Sequence, residues 1–577
     1  MGRQKHENDG AVFYHSVNAY PYSNIYAWQI IDMRLRLSEE YPDNVTRSRI
    51  FDIKEYERDC AYSNRNPNHP RDLRLGMNYA VERLKVTRGD SMTRHTGPTV
   101  QFRCFMQAGY DWVGLETMYT TLEPHIAFLR GTAKAYVLKS WGVHNAVQWS
   151  STPHDTPDRI RRFRLSLYDA YLQGATDINT EEGLWRLEEY YSGFHRFNDA
   201  CIDHRKQQED FYRYVLTHSR TGEFYTPMAL LQGKYDPWKG FENSAPCGWR
   251  ESYGEAEDSW QLLKTVYPLS KPGEPLYFHN CPSDRPMGYY TGAPKGNVDV
   301  LPIECALDKM NGYKALAFVG YNCADKESFE KLESYVRMGG KLIMTRAHRT
   351  VTTGYEDICK KNLAYDQSVP LGFADGEQVF AKDLYNGQQI DVCVNAKDSE
   401  ILVYTDSGKP LVCRYTYGCG EVVLFNVNAY PAHPAIKELY EKVLKETQTQ
   451  LVECESIWVE ANERVQFAVY NQDDGAKHIY FLAVDWYKEP SYLRASTLRI
   501  FDKTYTVEFP FGVMYKCVIN DGIGAYCHSE DGEVLSVSKE RIRVQGTGKQ
   551  NFSILQNGEV KIAEIDFSAK SVAEIFI

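Results

Sequence analysis

No stretch of this 577-residue chain approaches the roughly 18 consecutive apolar residues of a membrane-crossing helix. The polar opening Met1–Gly10 lacks the charged-then-apolar pattern of a signal peptide. The 14 cysteines fall without short paired spacings. That excludes a zinc ribbon and offers no disulfide framework, so free thiols in a reducing, cytoplasmic setting are expected. A basic excess is also missing: the net charge is −11, and neutralising phosphates would need a basic patch. Neither nucleic acid nor membrane is an expected partner. The chain has no GxSxG elbow, no GxxxxGK[ST] loop and no GxGxxG after a strand. His144, His154 and Asp155 do not form a recognised ligand spacing. No metal and no cofactor are expected.

What is present is a large soluble-type composition, 43% hydrophobic and 25% charged. At roughly 100–200 residues per domain, the length implies three or four units. Aromatics make up 13%, including 42 Tyr and 10 Trp, and many sit in loop-like runs such as YHSVNAYPYSNIYAW (14–28). Sugar rings present apolar C–H faces that stack on aromatic rings and hydroxyls that polar side chains can hold.

Residues 1–80 read as an irregular N-terminal segment, with membership of a barrel as the alternative. Over 81–216 helix and strand alternate: a helix at 72–85, an apolar segment at 99–107, strands at 111–119, 141–151 and 175–183, and helices near 123–138 and after Pro157. Ile160, Phe163, Leu167 and Tyr171 form one amphipathic face of the last helix. Repeating βα units mean a parallel sheet with helical crossovers, and acidic residues at strand C-termini point to a barrel. A complete barrel takes about 250 residues, so this one is partial or divergent. Residues 217–449 read as a doubly wound, flavodoxin-like or amidotransferase-like α/β domain. Its strands fall at 224–233, 298–304, 313–322 and 341–347, with a helix at 325–340 and a β-rich insertion near 365–415. Residues 450–577 read as a C-terminal β-sandwich with turns at QDDG, NDGIG and EDG. The fold class is thus multidomain α/β.

Strand alternation sorts the chemistry, since successive side chains point to opposite faces. Trp112, Gly114 and Glu116 share one face, as do Ala175, Asp177, Asn179 and Glu181. Glu116 and Glu181 therefore aim into a cavity at strand C-termini, where barrel enzymes keep their reacting groups; Glu182 is the alternative to its neighbour. Two carboxyl groups across a sugar cleft are what glycosidic cleavage needs, one as acid and one as nucleophile or base. Glu116 is the expected acid, because Trp112 and Leu115 make its surroundings the more apolar. Trp149 and Trp185 are candidate stacking platforms. His144, Gln148, His154, Tyr119 and Asn179 are candidate partners for sugar hydroxyls.

Two passages carry a resemblance: YKALAFVGYNCADKESFEKLESYVRMGGKLIMT (313–345) and GKPLVCRYTYGCGEVVLFNVNAYP (408–431). They are similar to the middle domain of family 42 β-galactosidases, whose parts run barrel, flavodoxin-like trimerisation domain, β-sandwich. The resemblance covers about a third of the chain and implies a glycoside hydrolase of the retaining kind that assembles as a homo-oligomer with the trimer favoured. The Asn-Glu pair that carries that family's general acid is not found in the barrel-like region here. Two other readings compete. One is a non-catalytic carbohydrate-binding or assembly subunit. The other is a barrel lyase or isomerase acting on sugars or uronates, with His144 or Tyr119 as base and Arg94 clamping a substrate carboxylate.

Overall fold

The computed structural model describes residues 72–88, 94–97, 99–117, 121–146, 157–180, 199–238, 240, 252–268, 290–366, 372, 378–395, 399–486, 492–569 and 571–577. The described chain opens with helix α1 (Leu73–Arg88) and strand β1 (Arg94–Gly97), then α2 (Phe102–Gln107) and β2 (Trp112–Thr117). Next come α3 (Leu122–Ala135), β3 (Gly142–Asn145), α4 (Pro157–Leu172), β4 (Asp177–Thr180) and α5 (Asp199–Thr217). The four strands pair in chain order, all parallel. Each crossover helix returns the chain to the same end of the sheet, so every strand's C-terminus lies along one edge. Among the described residues the sheet has four strands and does not close into a barrel.

On α4, Phe163, Leu167 and Tyr171 are buried as their spacing predicts, but so are Leu165, Tyr168, Asp169, Ala170 and Leu172, so the helix has no solvent side there. Helix α3 is likewise buried from Leu122 to Ala133. Its second partner is β7 (Asp299–Pro302), part of the next sheet. The two backbones come so close that a Cβ on Gly131 would collide with the Val300 carbonyl. One helix is thus shared by two sheets.

That second sheet is built from β6 (Met228–Gln232), β7, β8 (Ala315–Phe318), β9 (Lys341–Thr345), β12 (Glu400–Tyr404), β13 (Pro410–Tyr417) and β14 (Gly420–Phe425). Its order is β12-β13-β14-β9-β8-β6-β7, parallel from β14 to β7 and antiparallel at β12 and β13. A hairpin of β10 (Phe380–Tyr385) and β11 (Gln388–Cys393) stands apart. Helices cover both faces. On α6 (Lys326–Arg337), Phe329, Leu332, Tyr335 and Val336 pack against Ala229, Leu316 and Leu342. On α7 (Lys437–Glu453), Tyr440 and Leu444 belong to the core on the opposite face, with Leu230, Ala317 and Ile343. Asp325 caps α6 by accepting from the Ser328 amide at 3.0 Å, and Gly339 at φ +113° releases the chain at its end.

Among the described residues from Ile457 onward, the chain is strand and turn. A seven-stranded antiparallel sheet packs against two three-stranded sheets, with Val518, Ala525 and Phe552 facing Val534, Ile542 and Val544 across one interface. This is a β-sandwich-like arrangement.

Three element readings change. The run 224–233 is not one strand: it breaks at Thr226–Pro227, where proline has no amide to donate. The first piece, β5 (Glu223–Tyr225), pairs with Val469–Asn471 at the edge of the sandwich sheet, and the second is β6. The apolar run 99–107 contains the short helix α2, and the first strand lies earlier, at 94–97. Phe102, Arg103, Cys104 and Phe105 are all buried, so no periodicity distinguished helix from strand there. Of the β-rich stretch 365–415, only β10 and β11 stand outside the main sheet, because β12 and β13 extend it. Among the described residues, no helix is long and apolar enough to cross a membrane.

Candidate functional site

Parallel register decides what meets what. Glu116 of β2 pairs with His144 of β3, and His144 pairs with Asn179 of β4. Residues in register on neighbouring strands point to the same side. Glu116, His144 and Asn179 therefore form a row across three strands, close to their C-terminal ends. Glu116 is 3% exposed and His144 1%, so water is largely excluded from both. The Asn179 carboxamide oxygen lies 2.9 Å from His144 Nδ1. With that oxygen as acceptor, the proton of a neutral ring sits on Nδ1 and Nε2 is left as the acceptor.

One row nearer the strand N-termini, Thr96, Gly114, Gly142 and Asp177 are in register. Gly142 leaves space that the Trp112 indole uses. Its Nε1 donates to Asp177 Oδ2 at 3.2 Å, crossing β3 above Gly142. A Cβ at Gly142 would lie 2.5 Å from Trp112 Cζ2 and 2.5 Å from the Asp177 carbonyl oxygen. The site thus has an indole floor and a carboxyl–imidazole–amide row above it. On the opposite side of the sheet Val113, Leu115 and Val143 pack into the helix core. Leu115 therefore lends no apolar surroundings to the Glu116 carboxyl; Trp112, on the Glu116 face, is the neighbour that does.

Of the residues selected from sequence, the structure brings Glu116, His144 and Asn179 together. Arg94 is on β1, opposite Trp112 and below the row. Glu181, Glu182, Trp149, Trp185, Gln148, His154 and Tyr119 lie outside the described residues. Trp112, Asp177 and Gly142 were missed as parts of the site. Their signal was available in Gly142, a glycine within a strand that leaves room for a large neighbour.

The second sheet offers the other natural location. The chain runs from β6 to β7 on one side and then to β8 on the other, and ligands of open α/β sheets bind at such a reversal, beyond the strand C-termini. Here that crevice is filled by the protein. Arg103 of α2 donates from Nη1 to the Gly233 carbonyl at 2.5 Å. Gln101 Nε2 donates to the Asp236 and Trp238 carbonyls at 3.0 and 2.5 Å. The Asp236 carboxylate accepts from Tyr253 Oη at 2.7 Å, Trp260 Nε1 at 2.9 Å and the Trp238 amide at 3.0 Å. Burial pushes Asp236 up to about 6, against the opposing pull of these donors. Gly320 at the end of β8 is the space that Trp260 and Asp236 occupy. The crevice is a docking surface for the first sheet's helix layer.

No family model matches the chain, and no curated protein matches it. Among solved structures it is similar to a β-galactosidase from Bacillus circulans sp. alkalophilus, at 12% identity and TM-score 0.43, over 87% of this chain and 67% of that one. It is also similar to a β-galactosidase from the Antarctic haloarchaeon Halorubrum lacusprofundi, at 14% identity and TM-score 0.46, over 77% and 66%. A third is α-L-fucosidase isoenzyme 2 from Paenibacillus thiaminolyticus, at 12% identity and TM-score 0.40, over 94% and 74%. The chain spans about two thirds of the length of the two β-galactosidases.

Proposed function

We propose that this chain is a glycoside hydrolase whose general acid is Glu116. The observation that carries the reading is the row of Glu116, His144 and Asn179 in register near the C-terminal ends of a parallel sheet. A carboxyl group withdrawn from water holds its proton more readily, as the acid of a glycosidase must. His144, turned by Asn179, is suited to bond a sugar hydroxyl, and the Trp112 indole gives a ring an apolar surface. Glu181 follows β4 directly in the chain and continues the Asn179 face by alternation. It is the proposed partner carboxylate, the nucleophile of a retaining reaction if the two carboxyl groups stand about 5–5.5 Å apart, with about 6.5–9.5 Å meaning inversion.

The test is a panel of nitrophenyl glycosides with analysis of the released anomer, run on the intact chain and on Glu116→Gln and Glu181→Gln. Turnover of one glycoside that both substitutions abolish supports the reading. Turnover unchanged by either removes the pair. A second reading, a lyase or isomerase on sugars or uronates, is favoured by the oriented His144 imidazole. Products with a new double bond or a moved carbonyl would select it.

We further propose a homo-oligomer, with the trimer favoured. The filled crevice of the second sheet supports a scaffolding rather than catalytic use of that domain.

A further inference from the structure

Glu123 of α3 and Asp169 of α4 face each other where all three parts of the molecule meet. Both side chains have no solvent exposure. Each has one oxygen with a donor: Thr291 Oγ1 donates to Glu123 Oε2 at 3.1 Å, and Gln173 Nε2 to Asp169 Oδ1 at 3.4 Å. Among the described residues, the other two oxygens, Glu123 Oε1 and Asp169 Oδ2, receive no donor from any third group. The two side chains interact, and they end one hydrogen-bonded chain that runs Glu123, Thr291, Gln466, Gln173, Asp169. Two acceptor-only oxygens bond only if a proton lies between them, and two bare carboxylates in a dry site repel.

Among the described residues, the surroundings add no second source of neutralisation. Arg130 on α3 is the cation that acts on Asp169, and it is committed elsewhere. Its Nε donates to Asp299 at 2.5 Å, Nη1 to Gln173 Oε1 at 2.8 Å and Nη2 to the Val298 carbonyl at 2.8 Å. From the sandwich sheet comes Gln466, which is neutral: Gln173 Nε2 donates to its Oε1 at 3.1 Å, and its own Nε2 donates to the Thr291 carbonyl at 2.8 Å. Asp299 on β7 is held by Arg130, Lys134 and Tyr313. From the segment before β7 the neighbour is Thr291, an uncharged hydroxyl.

We propose that Glu123 and Asp169 share a single proton and so form a latch, joining helices α3 and α4 to the Thr291 segment and the Gln466 strand. Loss of the proton loosens this three-way junction. Burial first, then the neighbouring carboxylate, raises Glu123 well above the ordinary carboxylate range; burial also raises Asp169. Groups raised on folding stabilise fully below their unfolded values, and that contribution is lost as pH rises through the folded ones. The junction should therefore loosen from mildly acidic towards alkaline pH.

Hydrogen exchange on the full chain reads this out. After correction for intrinsic exchange, opening of α3, α4 and the 290–300 and 465–471 segments should rise up to about tenfold per pH unit within the titration window, the slope for one proton. In Glu123→Gln an amide N–H replaces the shared proton, so the slope should vanish there. Equal slopes in the two proteins would overturn the latch. Infrared spectroscopy of the wild-type chain is independent of how any variant folds. Absence of any buried carboxylic-acid C=O band at neutral pH rejects the shared proton, and loss of one such band in Glu123→Gln supports it.

Discussion

Trp112 donates to Asp177 across an intervening strand, passing above Gly142. This contact ties β2 to β4 through side chains, over the backbone of β3, and so fixes the floor on which the Glu116 row rests. Replacing Gly142 with Ala should cost about 1–3 kcal/mol in denaturant unfolding, as overpacked sites do. The indole should be displaced as well, seen as a change in tryptophan emission. Wild-type stability and emission in Gly142→Ala would remove the floor from the site.

Glu116→Gln tests the acid role through leaving groups. Loss of a general acid costs about 10²–10⁴-fold. The loss should be largest for alkyl glycosides, whose departing oxygen needs a proton, and smallest for a dinitrophenyl glycoside, whose oxygen does not. A uniform loss across leaving groups would assign Glu116 to another step.

Asn179→Ala removes the acceptor from His144 Nδ1. Leaving a buried ring nitrogen unsatisfied costs about 1–3 kcal/mol, and the imidazole is free to turn. The expected outcome is a modest loss of thermal stability with a larger fall in kcat/KM. Asn179→Asp keeps an acceptor and should recover most of the stability. If Asn179→Ala leaves kcat/KM intact, His144 does not touch substrate.

Asp299 joins the first sheet's helix layer to the second sheet. Its carboxylate takes Arg130 Nε at 2.5 Å, Tyr313 Oη at 2.6 Å and Lys134 Nζ at 2.8 Å, all with no solvent exposure of its own. Burial alone would raise its pKa, but Lys134 and Arg130 prevail and hold it at about 2. A folded value below the unfolded one stabilises above about pH 4, and that stability is lost as pH falls towards 2. Asp299→Asn should cost about 3–5 kcal/mol, the usual result of breaking a buried ion pair on one side. The variant should also lose part of the acid-side slope of stability. An unaltered acid limb would show that Asp299 does not carry it.

Light scattering coupled to size exclusion tests assembly. A trimer is expected; a fully active 66.5 kDa monomer would rule the assembly out.

Local patterns were legible in the sequence where a single period governs them. Alternation along β2 and β4 placed Glu116 and Asn179 on the Glu116 face before any pairing was known, because parallel register preserves facing. The α4 face of Phe163, Leu167 and Tyr171 was likewise visible. What stayed hidden depends on contacts between residues far apart in the chain. Arg103 reads as an ordinary charged residue until Gly233, 130 positions later, is found against it. Nothing near Glu123 or Asp169 in the chain shows that α3 and α4 are covered on all sides, so neither stands out from an ordinary helix charge.

The placement of β5 has a consequence for the order of events at the ribosome. Tyr225 pairs with Val469, so the strand leaves the ribosome 244 residues ahead of its partner. At about 5–20 residues per second, on the order of 10–50 s pass before that partner exists. During that interval three residues, Glu223–Tyr225, wait with open backbone groups while the second sheet can already form behind them. A strand made much later thus closes an edge that an earlier part of the chain has held ready, and premature termination anywhere before Val469 leaves that edge bare.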